Sequence, residues 1–173
     1  MVGFKSILAV LLLMAINIGC VRQQQIDILK SGVEKWNKWR VENPSVMPDL
    51  EKADLMGAYL KGANLDSANL AKANLAGAAL VGAYLKGANL NLAYLAKANL
   101  AGASFVEADL RGARLNGAIF EGADLHGVNL QKTKVYGAIF EGTDLRNANL
   151  QTQSMQRLHA NRSRTSTFSS LIS

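Results

Sequence analysis

ADLMGAYLKGANLDSANLAKANLAG, residues 53–77, is a five-residue unit written five times, and the unit runs on without insertion to ANLQT at 148–152. Across these twenty pentads the first residue is Ala in seventeen, the exceptions being Val128, Thr133 and Thr143. The third is Leu in sixteen, replaced elsewhere by Phe105, Phe120, Val135 and Phe140, and the fifth is Gly in twelve. No α-helix has this period: five residues advance it by about 500°, so the leucines would spiral around it instead of lining one face. A plain strand alternates with period two, and five is odd. The period fits a chain that turns a corner every five residues and points its first and third side chains inward each time.

Residue chemistry agrees with that reading. Aromatic residues make up only 6% of the 173-residue chain, so the core must be built from many small, similar layers. A buried Leu or Phe in each layer contributes roughly 1.5–3 kcal/mol, and Ala comes first because a second large residue would not fit. Gly at the fifth position suits a corner with φ > 0, as in a type II turn. Where Lys72, Lys97, Glu107 and Asn147 hold that position, another turn type is expected.

The tandem pattern A-(D/N)-L-x-x resembles the pentapeptide-repeat family over 53–152, with Leu50 and Met155 as worn end units. The resemblance implies an all-β solenoid: a right-handed quadrilateral β-helix of four pentads per coil, about five complete coils here. At strand-like spacing the shaft would be roughly 24 Å long, and its stability would approach a sum over layers.

Four segments follow. Residues 1–19 read as an export signal or membrane anchor: in MVGFKSILAVLLLMAINIGC, Lys5 precedes an apolar run from Ile7 to Ile16, shorter than a spanning helix needs. Gly19 followed by Cys20 resembles a bacterial lipoprotein signal, which implies lipidation at Cys20; Asn17 departs from that pattern. The competing readings are an uncleaved anchor and a buried helix. Cys20 is the single cysteine, so no intrachain disulfide forms. Residues 20–47 read as a helical N-terminal cap and lead-in. Ile26, Leu29, Val33 and Trp36 fall at helical spacing, predicting one short capping helix, and Pro44 and Pro48 enforce extended chain after it. VEKWNKWRVENP followed by PDL resembles the lead-in of a subset of the family, and Trp36 is the residue expected to cover the first layer. Residues 48–152 form the β-helix, and 153–173 read as a degenerate cap and a disordered, basic, Ser/Thr-rich tail.

Charge and chemistry narrow the function. Net charge is +6, yet residues 50–150 carry ten Lys/Arg against nine Asp/Glu. The near-neutral shaft gives no reason to expect nucleic acid as a partner. His126 and His159 have no neighbour of metal-ligand spacing, and a leucine-filled rod offers no concavity for converging groups. The chain therefore reads as non-enzymatic, with no catalytic residue, metal, cofactor or small-molecule substrate. With twenty residues per coil, Glu121 lies beneath Glu141 and Asp124 beneath Asp144, a solvated ladder of carboxylates. Arg111, Arg114, Lys132 and Lys134 gather along one edge and form a candidate patch for an anionic membrane or cell-wall polymer. Tyr59, Val81, Ile119 and Ile139 form a candidate apolar contact face for a protein partner or self-association.

The function read from these features is a non-catalytic scaffold or interaction module, exported and associated with the cell-envelope membrane. Some members of the family resemble DNA and shield type II topoisomerases, conferring quinolone resistance. That alternative is disfavoured by the neutral shaft and the export signal. A second alternative is a regulatory binder of one periplasmic or lumenal partner. Residues 56–80 and 81–105 agree at 19 of 25 positions, so five pentads have been duplicated. In a four-sided coil that shift moves each side chain round by one face. AIFEGADL and AIFEGTDL, at 118–125 and 138–145, are twenty apart and keep theirs; a specific surface is expected there.

Overall fold

Backbone pairing follows the pentads. In the computed structural model, which describes residues 19–150, each second residue of a pentad from Asp49 to Asn129 forms a parallel bridge with the residue twenty further on. The export segment before residue 19 and the tail from 151 lie outside the described residues. The chain is thus a β-solenoid whose coil closes after twenty residues, one pentad to each of four sides. The ladders name the faces: Asp49 to Asn149 runs up face 1, Asp54 to Lys134 up face 2, Tyr59 to Ile139 up face 3 and Asn64 to Asp144 up face 4.

Three rungs per pentad join the coils. Leu75 N–H donates to the Tyr94 carbonyl at 2.7 Å, Gly77 N–H to Ala96 at 2.9 Å, and Asn74 N–H back to Ala53 at 2.9 Å. First and third residues fill the interior: from Ala63 to Val128 none is more than 1% exposed, so the core is dry. Towards the C-terminal end the leucines give way to larger rings, and Phe120 stacks on Phe140 with centroids 4.9 Å apart. Thr143, in place of the usual Ala, is buried and donates its hydroxyl to the Phe120 carbonyl at 2.8 Å.

The corners correct one expectation. Lys72, Lys97, Glu107 and Asn147 do not switch turn type: their φ values are 58–60°, against 62–68° for the corner glycines, and Lys52, Ser67, Leu92 and Lys132 do the same. Every corner from Leu50 to Ala148 is closed by an N–H of the next first residue bonding the central residue's carbonyl, as in Ala73 N–H to Leu70 O at 3.0 Å. With φ > 0 at the third turn residue this is a type II-like turn throughout. The stack imposes it: Lys72 N–H must reach Asn91 O in the next coil, and does so at 2.9 Å. An L-residue in this conformation is disfavoured by about 1–2 kcal/mol, which the coil-to-coil bonds override.

The N-terminal segment also differs from expectation, being two helices instead of one. Helix α1 covers 19–30 of the described residues, and α2 spans Val33–Glu42. Gly32, at φ 128° and ψ 149°, breaks them apart, and the Ser31 hydroxyl caps the Ile28 carbonyl at 2.7 Å. Ile26 and Leu29 on α1 and Trp36 on α2 are buried against the first layer, while Val33 is only partly so. The first coil has no preceding coil to bond, and side chains of these helices replace it. Gln25 accepts from Asp49 N–H at 2.7 Å. Asn37 accepts from Asn64 N–H at 2.8 Å and donates to Gly62 O at 3.0 Å. The Trp36 indole donates to Asn64 O at 2.7 Å, and Arg40 Nη2 to Asp66 O at 3.0 Å. Trp36 is fully buried and stacked on Trp39 at 5.1 Å; its polar neighbours satisfy the open edge, where unpaired strand groups would template further pairing.

Two outcomes follow. Lys72→Gly relieves the left-handed strain at some loss of chain entropy and should stabilise by roughly 0.5–1 kcal/mol, read as a raised denaturant midpoint with unchanged m. Asn37→Ala orphans a donor and an acceptor and should destabilise by about 1–3 kcal/mol, with faster hydrogen exchange at the Asn64 amide.

Candidate interaction surface

Second and fourth residues point away from the core, and so does the fifth where it is not glycine; a partner meets these side chains. The preference for Asn or Asp at the second position has a local cause that periodicity alone does not reveal. Among the described residues, eleven such side chains accept the N–H two residues on, at 3.0–3.3 Å. This Asx turn satisfies the fourth-residue N–H, which the coil-to-coil ladder does not use. On face 1 every second residue is Asn or Asp, and the amides also donate down the ladder, Asn69 to Asp49 at 3.2 Å and Asn89 to Asn69 at 3.1 Å. Face 1 is a polar zipper closed upon itself.

The other faces make fewer Asx turns, six among the three, and carry charged and apolar side chains between them. Arg114 and Lys134 are bridged neighbours on face 2, and Arg111 and Lys132 sit on the corner between faces 1 and 2. The four cations line one edge over two coils, and all are exposed. Two are engaged within the chain. Arg111 grips Asp109 with Nη2 to Oδ2 at 2.6 Å, and these side-chain hydrogen bonds hold the Asp109 carboxyl below its ordinary range. Arg114 lies over the Tyr94 ring, 4.7 Å from its centroid.

Tyr59, Ile119 and Ile139 stand on the face 3 ladder, with Ala79 and Asn99 between the tyrosine and the two isoleucines. Val81 sits at the corner where face 3 passes into face 4. Tyr59 is 86% exposed and Ile139 38%, and Ile119 and Val81 are half-buried. Met56 and Tyr136, which the sequence reading passed over, project from the opposite border of the same face at 68% and 66% exposure. Their signal was a fourth-position apolar residue seen only once the pentads are laid out in twenties. Cys20 is exposed on α1 as a free thiol.

On face 4, Asp124 and Asp144 are bridged neighbours. Hydrogen bonds from the Arg146 guanidinium, then from its backbone N–H, take the Asp144 carboxyl from 3.8 to about 2. Arg146 is two-thirds exposed, so this pair adds little stability. Among the described residues no group of His, Cys, Asp and Glu is placed to hold a metal ion, and no helix is long and apolar enough to cross a membrane. What the arrangement can do is present flat, chemically distinct faces.

Fold and surface together define a repeat solenoid that displays side chains on a regular grid. The chain belongs to the pentapeptide-repeat family: the model for pentapeptide repeats matches eight copies over residues 53–91, 93–131 and 123–151. Among solved structures it is similar to HetL, a pentapeptide repeat protein involved in heterocyst differentiation regulation in the cyanobacterium Nostoc sp. strain PCC 7120. They are 34% identical with a TM-score of 0.53, over 60% of this chain and 57% of HetL. It is also similar to Rfr23 of the cyanobacterium Cyanothece 51142, at 36% identity and TM-score 0.49, over 51% of this chain and 60% of that one. A third is a pentapeptide repeat protein of the Arabidopsis thaliana thylakoid lumen, at 30% identity and TM-score 0.45, over 56% of this chain and 70% of that one. The matched region thus spans under two thirds of the first two relatives. No curated protein matches the chain.

The Asp144–Arg146 pair gives a pH signature. Because the folded pKa is lowered, the pair's contribution is present above the ordinary carboxylate value and is lost as pH falls towards 2. A carboxyl-carbon NMR titration of Asp144 should show a midpoint near 2, and Arg146→Ala should raise that midpoint part of the way towards the ordinary carboxylate value, the residue-146 backbone N–H still donating to Asp144.

Proposed function

We propose that this protein is a non-catalytic interaction scaffold: a right-handed quadrilateral β-helix of about five complete coils, closed at its N-terminal end by helices. It is exported and held at the membrane face of the cell envelope. The observation that supports a scaffold is the division of labour within each pentad. Two side chains go to a closed core and the rest stand on flat outer faces, one lined throughout by Asn and Asp and the others carrying more varied charged and apolar groups. The likeness to HetL, named for a role in regulating differentiation, accords with binding as the mode of action, so a regulatory binder of one specific envelope partner is the second reading. A DNA-mimic, topoisomerase-protecting role fits poorly, since ten basic residues offset nine acidic ones over 50–150.

Export rests on the N-terminal sequence, and the folded chain gives it a geometric context. Arg22 pairs with Asp49 at 2.7 Å and Glu51 at 3.3 Å, so the solenoid is engaged two residues after Cys20. Two residues reach about 7 Å at most. A lipid on Cys20 would hold the capped end directly against the headgroups, and the exposed cations of the Arg114–Lys134 edge, three to four coils further along the shaft, would face anionic cell-wall polymer through salt-sensitive attraction.

Mass spectrometry of the native N-terminus tests the proposal. The expected species begins at a diacylated or triacylated Cys20 in the membrane fraction. An unmodified chain starting at Met1 in the soluble fraction would overturn the localisation.

A further inference from the structure

The ten basic and nine acidic residues of the shaft cancel in number but not in place. From residue 88 onward, in the third to fifth coils, there are twelve of them. Face 2 and the two corners that bound it carry Lys97, Arg111, Arg114, Lys132 and Lys134 there, and no carboxylate. Face 4 and its two corners carry Glu107, Glu121, Asp124, Glu141 and Asp144, with Arg146 as their one cation. The twelfth, Asp109, stands on face 1. In a four-sided coil faces 2 and 4 are opposite sides, with the apolar core between them.

The two exceptions are neutralised in place. Asp109 pairs with Arg111 and Arg146 with Asp144, each at 2.6 Å. What remains is four cations on one side, Lys97, Arg114, Lys132 and Lys134, and four carboxylates on the other, Glu107, Glu121, Asp124 and Glu141. Among the described residues none of the eight makes a salt bridge, and all are exposed except the half-buried Asp124. The backbone does not impose this separation. In the first two coils Asp54 stands on face 2, and Lys61 and Lys86 stand at the corners of face 4.

A rod with opposite charge on opposite sides is complementary to itself. From this pattern we infer that a second copy of this chain docks its face 4 on face 2, axes parallel, and that the contact repeats from copy to copy as an open row. The two patches differ, so no two-fold axis closes the contact, and each copy leaves one patch free for the next. Moving a copy sideways without rotation, and along its axis by half a coil, roughly 2.4 Å, sets Arg114 against Asp124 of the next copy and Lys134 against its Asp144. Glu121 and Glu141 flank those rungs at the corner. Lys132 faces Arg146, whose charge Asp144 already holds. In the first two coils the signs are mixed and Lys72 faces Lys86, so the last three carry the attraction. Exposed ion pairs are individually weak, and three coils span about 14 Å, too short a strip for the ~800 Å² per partner of a typical stable interface. The row is accordingly weak, salt-sensitive and concentration-dependent, and all its capped ends lie on one side.

The inference rests on reading the outer faces as an interaction surface, and it sets a second copy in competition with an anionic polymer for the cations of face 2. Sedimentation of the full-length chain in density-matched, non-ionic detergent, over a concentration series, reads the mass. At about 0.01 M salt wild type should pass from one chain through two to larger species, and at about 1 M salt it should remain at one. R114E/K134E reverses the sign of the unpaired charge on face 2 in the last two coils, and E121K/E141K does the same on face 4. Each variant then carries one sign on both sides and should stay at one chain alone, while an equimolar mixture should associate. The chain with all four changes reverses both sides at an unchanged net charge of +6 and should associate like wild type. Each double variant shifts that charge by four, in opposite directions, so both stay positive overall and net attraction cannot drive the mixture together. Circular dichroism confirms that each variant folds. A wild type that stays at one chain or stops at two, a double variant that associates like wild type, or a mixture or four-change chain that stays at one would each sink the proposal. A monomeric wild type that binds inorganic polyphosphate, and loses that binding in R114E/K134E, would overturn the row and leave the interaction surface standing.

Discussion

The hydrogen bond from the third residue of each pentad to the second residue of the next coil is the constraint on which the rest depends. It fixes the repeat at twenty residues, since Leu75 can meet Tyr94 only if four equal sides lie between them. Once that register holds, every third residue stacks on another and the core can be uniform. The corners must then all turn alike, which is why lysine, glutamate and leucine accept a left-handed backbone in places glycine would occupy more readily. Local preference yields to the stack because each corner is held from two sides, by its own turn bond and by the coil beyond it.

The same uniformity separates stability from specificity. The interior asks only for Ala and Leu, so the outer residues vary without disturbing it. Face 1 uses that freedom to satisfy its own backbone, and its amides look inward to the ladder. Face 3 has largely given up the Asx bond, Asn99 alone making it; its tyrosine and isoleucines contribute nothing to the turn. The duplicated tract at 56–105 turns its pattern by a quarter, whereas the stretches at 118–125 and 138–145, twenty apart, keep theirs on the same faces.

Much of this was legible from the residues alone. Period five, with Ala first and Leu third, dictated inward positions, and those positions are buried. Trp36 fell at helical spacing with Ile26, Leu29 and Val33, just ahead of the repeats. The remainder was hidden for physical reasons. Helical spacing carried Ile26 through Trp36 as a single element, and only backbone geometry at Gly32 shows the break. Gln25, Asn37 and Arg40 looked like ordinary solvated polar residues; their partners lie 24 to 27 positions away and exist only once the first coil has closed. The choice of Asn or Asp at the second position is local, but it acts through an N–H whose lack of a partner depends on the ladder.

The side-chain seal at the first coil also bears on the order in which the molecule is made. Gln25, Trp36, Asn37 and Arg40 all precede the backbone they satisfy. A chain that emerges N-terminus first, from a ribosome or a translocation pore, therefore has the side chains of the seal in hand before the backbone they bond is made. Each new pentad then finds a paired edge waiting for it. Assembly of this kind is vectorial: growth proceeds from one fixed end, like winding thread onto a bobbin, and needs no contact with sequence still to come.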